Sequence, residues 1–276
     1  MSQTSQATRA ADFKALHDAR DLFVIPNPWD AGSARLLAGL GFKALASTSA
    51  GFAASMGRPD YAVTRDEKLA HIQTLVAATD LPLSADLENG FGHSPADCDE
   101  TISLGAAAGL VGGSIEDNTG DSDTPQYTID AAKDRIAAAV EATNALPHPF
   151  MLTARAENYL VGNPDLSDTI KRLQAYQDAG AHVLYAPGLP TLDAIKTVIS
   201  EIDRPLNVLF GPFEGFVPLS ELADLGVTRV SIGSGFSNLA YGSLISASKE
   251  LLGEGTFGFM KNAASGSTLQ AMMDKA

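Results

Sequence analysis

The chain is poor in several things at once. It has one cysteine, Cys98, one tryptophan, Trp29, and aromatic side chains make up only 7% of it. A single cysteine excludes a disulfide framework within the chain. His17, His71, His93, His148 and His182 are too scattered for a zinc site. Cations are also scarce: 19 Lys and Arg stand against 33 Asp and Glu, a formal net charge of -14, and no basic cluster occurs. That predicts no nucleic-acid partner and no adhesion to anionic membranes. No apolar run reaches membrane-spanning length, and residues 1–12 are polar, without the hydrophobic core of a signal peptide. With one cysteine, the expectation is a cytoplasmic protein. Three signatures are missing as well. No GxGxxG follows the first expected strand, no GxSxG elbow appears, and no lysine sits at the C-terminal end of an expected strand, Lys43 preceding the second one. Dinucleotide binding, serine-hydrolase chemistry and Schiff-base chemistry lose their usual markers.

What is present is alternation. Short apolar runs at 23–26, 44–48, 83–86, 110–116, 150–154, 182–186, 206–210 and 229–233 read as strands. Amphipathic segments at 30–40, 65–79, 96–105, 128–144, 167–180, 191–201 and 219–226 lie between them. Gly39, Gly41, Gly105, Gly180 and Gly226 stand where helix C-caps are expected. Eight such repeats in 276 residues predict one (β/α)8 barrel domain spanning 1–276. A doubly wound open sheet is the alternative. Residues 243–276 exceed what closing a barrel requires and form a C-terminal helical tail, with helical pieces at 243–252 and 269–275.

Acidic residues end two of the runs. Asp86-Leu87-Glu88 closes the apolar run 81–85, and Glu116-Asp117 closes 110–115. Residues two apart on a strand share a face, so Asp86 and Glu88 are expected to project together. Adjacent strand ends would bring three or four carboxylates into one space, where like charges repel unless a counter-charge is present. A hard divalent cation with oxygen ligands meets that need. The other strand ends are polar too: Asn27, Ser47-Thr48-Ser49, Arg155 with Glu157 and Asn158, Tyr185, Asn207, and Ser231 with Ser234. Barrels place their active groups at these ends. Arg155, after an apolar strand, needs anionic partners, either a substrate carboxylate or a structural ion pair with Glu157 or Glu116. Ser47, Thr48, Ser49 and Gly51 read as a turn presenting backbone N–H groups to an anion, or as a plain loop. Gly233-Ser234-Gly235 resembles a phosphate-binding corner, with helix capping by Ser234 the simpler role. His93 lies close in sequence to the carboxylates, on a loop surface.

Taken together, Asn27-Pro-Trp-Asp-Ala-Gly-Ser-Ala-Arg35, Gly41-Phe-Lys-Ala-Leu-Ala-Ser-Thr-Ser-Ala-Gly51, Gly57-Arg-Pro-Asp60, Ser84-Ala-Asp-Leu-Glu-Asn-Gly-Phe-Gly92, Ser114-Ile-Glu-Asp117 and Thr153-Ala-Arg-Ala-Glu-Asn158 resemble the isocitrate lyase / phosphoenolpyruvate mutase superfamily. The resemblance runs over most of the chain. It implies a Mg2+- or Mn2+-dependent barrel enzyme acting on small α-oxyacid or α-keto-acid anions. It implies that Asp86 contacts the metal, while Asp60, Glu88 and Glu116 hold it largely through water. Arg155 would bind the substrate carboxylate, Ser47, Thr48 and Ser49 would supply backbone donors, and Asn207 would contact substrate. A helix-swapped homodimer or homotetramer would account for the tail. The departure is residues 118–126, Asn-Thr-Gly-Asp-Ser-Asp-Thr-Pro-Gln, where true isocitrate and methylisocitrate lyases carry a Lys-Lys-Cys-Gly-His-type loop. Cys98 lies on an earlier segment and does not replace that cysteine, although the loop retains the composition of a mobile lid. The reading is therefore a metal-dependent lyase or decarboxylase cleaving a C–C bond through an enolate. Asp60, Tyr185 and Asp121 are candidates for the acid–base group. Phosphonopyruvate hydrolase or mutase-type P–C chemistry and a non-catalytic dicarboxylate-binding barrel are the alternatives.

Overall fold

Eight short parallel strands line a barrel in the computed structural model, which describes residues 4–211 and 214–275. Residues 1–3 and 276, which the expected domain includes, lie outside the described residues. The strands are β1 (Phe23–Ile25), β2 (Leu45–Ala46), β3 (Leu83–Asp86), β4 (Gly112–Glu116), β5 (Met151–Arg155), β6 (Val183–Tyr185), β7 (Leu206–Leu209) and β8 (Arg229–Ser231). They pair in the order β1-β8-β7-β6-β5-β4-β3-β2. The gap between β1 and β2 is bridged by the Ala46 N–H, which donates to the Pro26 carbonyl at 3.0 Å. The (β/α)8 reading holds, and the open sheet does not. Every expected strand is present: β3 has the expected bounds, β5 is shifted by one residue so that it ends at Arg155, and the other six are trimmed.

All seven expected helices form: α2 (Ala31–Gly39), α4 (Arg65–Ala78), α5 (Pro95–Ala107), α6 (Ile129–Asn144), α7 (Leu166–Asp178), α8 (Leu192–Ser200) and α9 (Leu219–Asp224). Their starts follow from side-chain caps. Asp30, Thr64 and Ser94 each accept from the third helical N–H in a reciprocal capping box. Gly41, Gly180 and Gly226 follow helix ends with positive φ, as expected of C-cap glycines. Gly105 is different. It lies inside α5, where a Cβ would meet Leu110 at 3.1 Å, and Gly109, with φ +108°, makes the turn instead.

Two helices fall outside the sequence reading. α1 (Gln6–Asp18) sets Ala10 and Phe13 against Ile25, Val111, Met151 and Val183, plugging the barrel interior from below. Its buried set of Arg9, Ala10, Phe13 and His17 includes one large apolar side chain, so hydrophobic periodicity barely registers. α3 (Ser49–Ser55) starts at the small-residue segment read as a turn, with the Thr48 hydroxyl capping it. The larger core lies between the strands and the outer helices, from Leu45 and Ile72 through Leu152 and Tyr176 to Val230.

The tail begins earlier than expected, because α10 (Gly235–Gly253) follows directly on β8. Only Ser237 of this helix is buried, while Leu239, Leu244, Ile245 and Leu252 are exposed. After a short 3-10 turn, α11 (Gly266–Met273) lies on α2 of the same chain. There Arg35 donates to the Met273 carbonyl at 2.8 Å, and the Met272 backbone occupies the space a side chain at Gly39 would need. Among the described residues no helix is long and apolar enough to cross a membrane.

Candidate active site

Three consecutive strands end in charge. Asp86 ends β3, Glu116 ends β4 and Arg155 ends β5, and the register places Glu116 beside Arg155. The Arg155 guanidinium lies 3.1 Å from Asp86 Oδ2 and 2.8 Å from Glu116 Oε2. Its other edge grips Glu157 Oε1 from Nε and NH2 at 3.0 and 2.9 Å. Its carbon sits 5.1 Å from the centre of the Tyr185 ring. Of the two roles open to Arg155 in the sequence, the ion pairs with Glu157 and Glu116 are present, and Asp86 joins them. Arg155 also lines a cavity at the barrel mouth.

Glu88 reaches this cluster by a route the strand pattern does not describe. β3 stops at Asp86, and Glu88 takes a left-handed conformation, φ +51°, so alternation along a strand does not put it beside Asp86. A turn does so. The Glu88 N–H donates to Asp86 Oδ1 at 3.2 Å, and its carbonyl accepts from the Glu116 N–H at 3.0 Å. Asp60 enters from the segment after α3 and lines the cavity. Tyr61, also left-handed at φ +63°, donates its hydroxyl to Glu116.

Lys68 was invisible to a search of strand ends. It comes from α4, is 1% exposed, and among the described residues its Nζ has no hydrogen-bond partner while facing Asp86, Glu88 and Asp60. The Phe52 ring lies 5.8 Å from that nitrogen. The only sequence signal is spacing, since Lys68 shares a helix face with buried Ile72 and Leu75.

Five carboxylates (Asp60, Asp86, Glu88, Glu116, Glu157) thus share two cations, Arg155 and Lys68. Burial works against ionising Asp86, yet Arg155 and Lys68 hold its carboxyl below the usual range. The others move the opposite way. Burial, then the charges of Asp86 and Asp60, push Glu88 up to about 8. Burial, only partly offset by Arg155, pushes Glu116 up to about 7. Asp60 is raised by burial and by Asp86. The cluster carries more acid than its own cations can neutralise.

Among the described residues, the cavity lining on the β7, β8 and β1 side carries no acid. Asn207 on β7 donates from Nδ2 to Ser231 Oγ at 2.9 Å, and Ser231 lies 3.5 Å from the Tyr185 hydroxyl. Asn27 accepts from the N–H groups of Ile232 and Gly233 at 2.8 Å each and donates to the Ser47 carbonyl at 3.2 Å, tying β1, β2 and β8 together. The Gly233 corner is thereby already satisfied. Ser234 begins α10 without a capping bond from its side chain, a correction to its expected role. Ser47 and Ser49 both serve Asp86: Ser47 Oγ accepts from its N–H and Ser49 donates to its Oδ2, each at 3.2 Å. Thr48 is occupied in capping α3. Between the two halves lies a cavity of about 190 Å³, lined by Ser47, Thr48, Ser49, Asp60, Asp86, Arg155, Tyr185 and Asn207 among others.

A buried buttress holds the acidic side. Asp117 accepts from the Tyr176 hydroxyl at 2.5 Å, Arg172 NH1 at 3.0 Å, Gln126 Nε2 at 3.0 Å and the Glu157 N–H at 2.8 Å. It is a structural acid, not a member of the cluster. The loop 118–126 folds on itself through a bridge between Asn118 and Gln126. There the Asp121 carboxylate accepts from the Asp123 N–H and the Thr124 hydroxyl, away from the cavity. Cys98 is buried, its thiol pushed up to about 11 by burial. His93 is exposed and pairs with the Tyr127 hydroxyl at 2.6 Å.

The donor chemistry suits a hard divalent cation. Among the described residues no three acidic, histidine or cysteine side chains gather closely enough to hold one ion directly. Mg2+ characteristically takes one or two carboxylates and completes its shell with water and substrate oxygens, so Asp86 with water-mediated neighbours fits it. A (β/α)8 barrel with an acid-rich mouth and an arginine at the adjoining strand end is an architecture that suits a small-molecule site.

The chain belongs to the phosphoenolpyruvate phosphomutase family, whose model matches residues 13–252. A Burkholderia cenocepacia J2315 protein, its activity given only provisionally as lyase/mutase, is 55% identical in a solved structure with TM-score 0.93, covering 96% of this chain and 95% of that one. Oxaloacetate decarboxylase of Chromohalobacter salexigens is 27% identical over 261 residues, 92% of this chain and 88% of that protein. The structure of a phosphonopyruvate hydrolase in complex with oxalate and Mg++ shares the fold, at 22% identity and TM-score 0.84 over 96% of this chain and 95% of that one.

Proposed function

We propose that the protein is a Mg2+- or Mn2+-dependent lyase or decarboxylase that cleaves a C–C bond of a small α-keto or α-hydroxy carboxylate through an enolate. The excess of carboxylate over cation at the barrel mouth, beside Arg155 and an open cavity, carries this reading. Asp86 would ligate the ion, with Asp60, Glu88 and Glu116 helping to hold it. When bound, the ion supplies positive charge where the keto oxygen becomes negative. Arg155 orients the substrate carboxylate through the part of its fork that faces the cavity. The backbone N–H groups of Thr48 and Ser49 and the Asn207 amide fix the remaining oxygens and hold the reacting bond in register, while Ser47, whose own N–H donates to the Ser84 carbonyl, acts by holding Asp86. In an oxaloacetate-like acid the bond to the leaving carboxylate breaks, its electron pair enters the enolate, and CO2 departs. A proton returned to carbon completes the reaction. Asp60 carries that proton, since its carboxyl reaches the cavity whereas Asp121 is held within its own loop, and the Tyr185 hydroxyl, which also lines the cavity, is pushed up to about 12 by burial. Cys98 takes no part.

The test is turnover of oxaloacetate, 2-methylisocitrate, 2,3-dimethylmalate and phosphonopyruvate with Mg2+ and with chelator. The expected result is metal-dependent cleavage of one of the C–C substrates. Cleavage of phosphonopyruvate alone would move the reading to P–C chemistry, and no turnover of any would favour a binding barrel. We further propose a homo-oligomer, a second copy covering the exposed Leu239, Leu244, Ile245 and Leu252 of α10. A cytoplasmic site of action fits the single buried, unpaired cysteine.

A further inference from the structure

Beneath the acidic cluster, Arg229 opens β8 and lines the same cavity. It is 5% exposed and held on three sides. Nε donates to Asn207 Oδ1 and NH2 to Thr153 Oγ1, both at 2.9 Å, and NH1 lies 3.3 Å from His17 Nε2. Every one of these acceptors is uncharged. His17 has its Nδ1 2.8 Å from the Phe13 carbonyl, which can only accept, so Nδ1 bears the hydrogen and Nε2 is left to accept from Arg229. Burial and the charge of Arg229 together lower the His17 pKa to about 3, keeping the ring neutral. Asn207 is oriented in the same way: its oxygen is committed to Arg229, so its amide nitrogen is directed to Ser231.

Among the described residues Arg229 forms no ion pair. Yet this chain has fourteen more acids than bases, and on β5, two residues beyond the Thr153 that Arg229 holds, Arg155 has three carboxylates. A buried guanidinium without a counter-ion is costly unless an anion reaches it. Arg229 has five N–H donors and uses three on its neutral cage, which leaves two for something that enters through the cavity.

We propose that Arg229, with Asn207 and Ser231, forms a second anion subsite at the floor of the cavity. It receives a carboxylate that the substrate carries at the end remote from Arg155. This rests on the reading of the cavity as the substrate site and specifies its substrate as a dianion spanning two subsites. The subsite separates such acids from monocarboxylates of the same head group.

Calorimetry with Mg2+ present tests it without turnover. Oxalate is short and reports the Arg155 end alone; malate reaches both subsites; lactate is its analogue without the second carboxylate. In the wild type, malate is expected to bind at least tenfold more tightly than lactate. Arg229→Gln should weaken malate at least tenfold and leave oxalate within twofold, and Arg229→Lys should recover part of the loss. Retained oxalate binding also shows that the variant is folded. Should Arg229→Gln fail to fold, the wild-type comparison and Arg229→Lys decide. Lactate binding as tightly as malate, or malate affinity indifferent to residue 229 while oxalate binds, overturns the subsite and leaves the substrate site standing. A wild type that binds neither oxalate nor malate overturns both.

Discussion

The two sides of the cavity are built to opposite electrostatic rules. On the β3–β5 side, Asp86, Glu116 and Glu157 crowd one guanidinium, and protons fill the shortfall of positive charge. On the β7–β8 side, Arg229 is caged by an amide, a hydroxyl and a neutral imidazole. Tyr185 stands between them, its ring against Arg155 and its hydroxyl toward Ser231. The contrast teaches that the net charge of -14 says nothing about the site. Within one cavity the protein keeps an anionic region that calls for a cation and a cationic region that calls for an anion, a field with a direction as well as a magnitude. A substrate whose two ends differ would enter it in one orientation.

The comparison breaks most visibly if Arg155 is removed. Arg155→Met leaves three buried carboxylates without their shared cation and should cost about 3–5 kcal/mol in metal-free protein, read by urea denaturation at pH 7, with Mg2+ restoring part. Arg155→Lys keeps the charge but loses the planar fork. On the first active substrate, kcat/KM should fall roughly thirty- to a hundred-and-fifty-fold, as for a contact of about 2–3 kcal/mol. Unchanged kinetics would reduce Arg155 to an ion-pair partner. Next in size is the buttress behind the acidic half. Asp117→Ala strands Arg172, the Tyr176 hydroxyl and the Glu157 N–H, and should destabilise by about 3 kcal/mol. A loss below half of that in denaturation would show that the acidic half holds itself.

The protons of the acidic half give a third test. Glu88 and Glu116 have folded pKa values raised from 4.5 to about 8 and about 7. Between pH 4.5 and about 8 the metal-free folded state therefore holds protons that the unfolded chain has released. Their contribution to stability falls as pH rises through that window. Mg2+ must displace those protons, so its affinity should climb up to about pH 8, with proton release measurable by calorimetry in buffers of different ionisation enthalpy. Glu88→Gln should diminish the release, and proton-neutral Mg2+ binding at pH 7 would show that these acids are already ionised. On the tail, Leu244→Asp with Ile245→Asp should dissociate the oligomer in sedimentation without altering the barrel's circular dichroism. A monomeric wild type would remove that proposal. The smallest effect is expected at Cys98, outside both halves. Cys98→Ser should keep turnover within about twofold, at a stability cost of about 1 kcal/mol for a buried hydroxyl in place of a thiol, and abolished turnover in a folded variant would return a cysteine to the mechanism.

The strand ends were legible because each sits where an apolar run stops. Asp86, Glu116, Arg155 and Tyr185 follow from that rule together with the barrel's habit of placing active groups there, whereas Asn207, read with them, stands second in β7 and faces the cavity from within its strand. Asp60 came from the resemblance, and the cavity does include it. Glu88 was placed in the right neighbourhood for the wrong reason, because local alternation cannot foresee a left-handed turn. Lys68, Tyr61 and Arg229 were missed. Lys68 reads as an ordinary helix residue, Tyr61 as part of a loop, and Arg229 lies at the start of its strand rather than its end. Each acquires its role only from chain segments distant in sequence.

What the sequence determined alone is periodic and local: eight apolar runs, the helices between them, their capping residues, and the chemical character of each strand end. These depend on a few neighbouring residues, and hydrophobic spacing and hydrogen-bonding side chains record them directly. The tertiary structure decided which charges meet. Closing the sheet brought Arg155 against three acids and left Arg229 with none, turned a lysine inward from α4, and drew His17 of α1 under the barrel floor. Electrostatic energy depends on distance through space and on burial, and neither quantity is written along the chain.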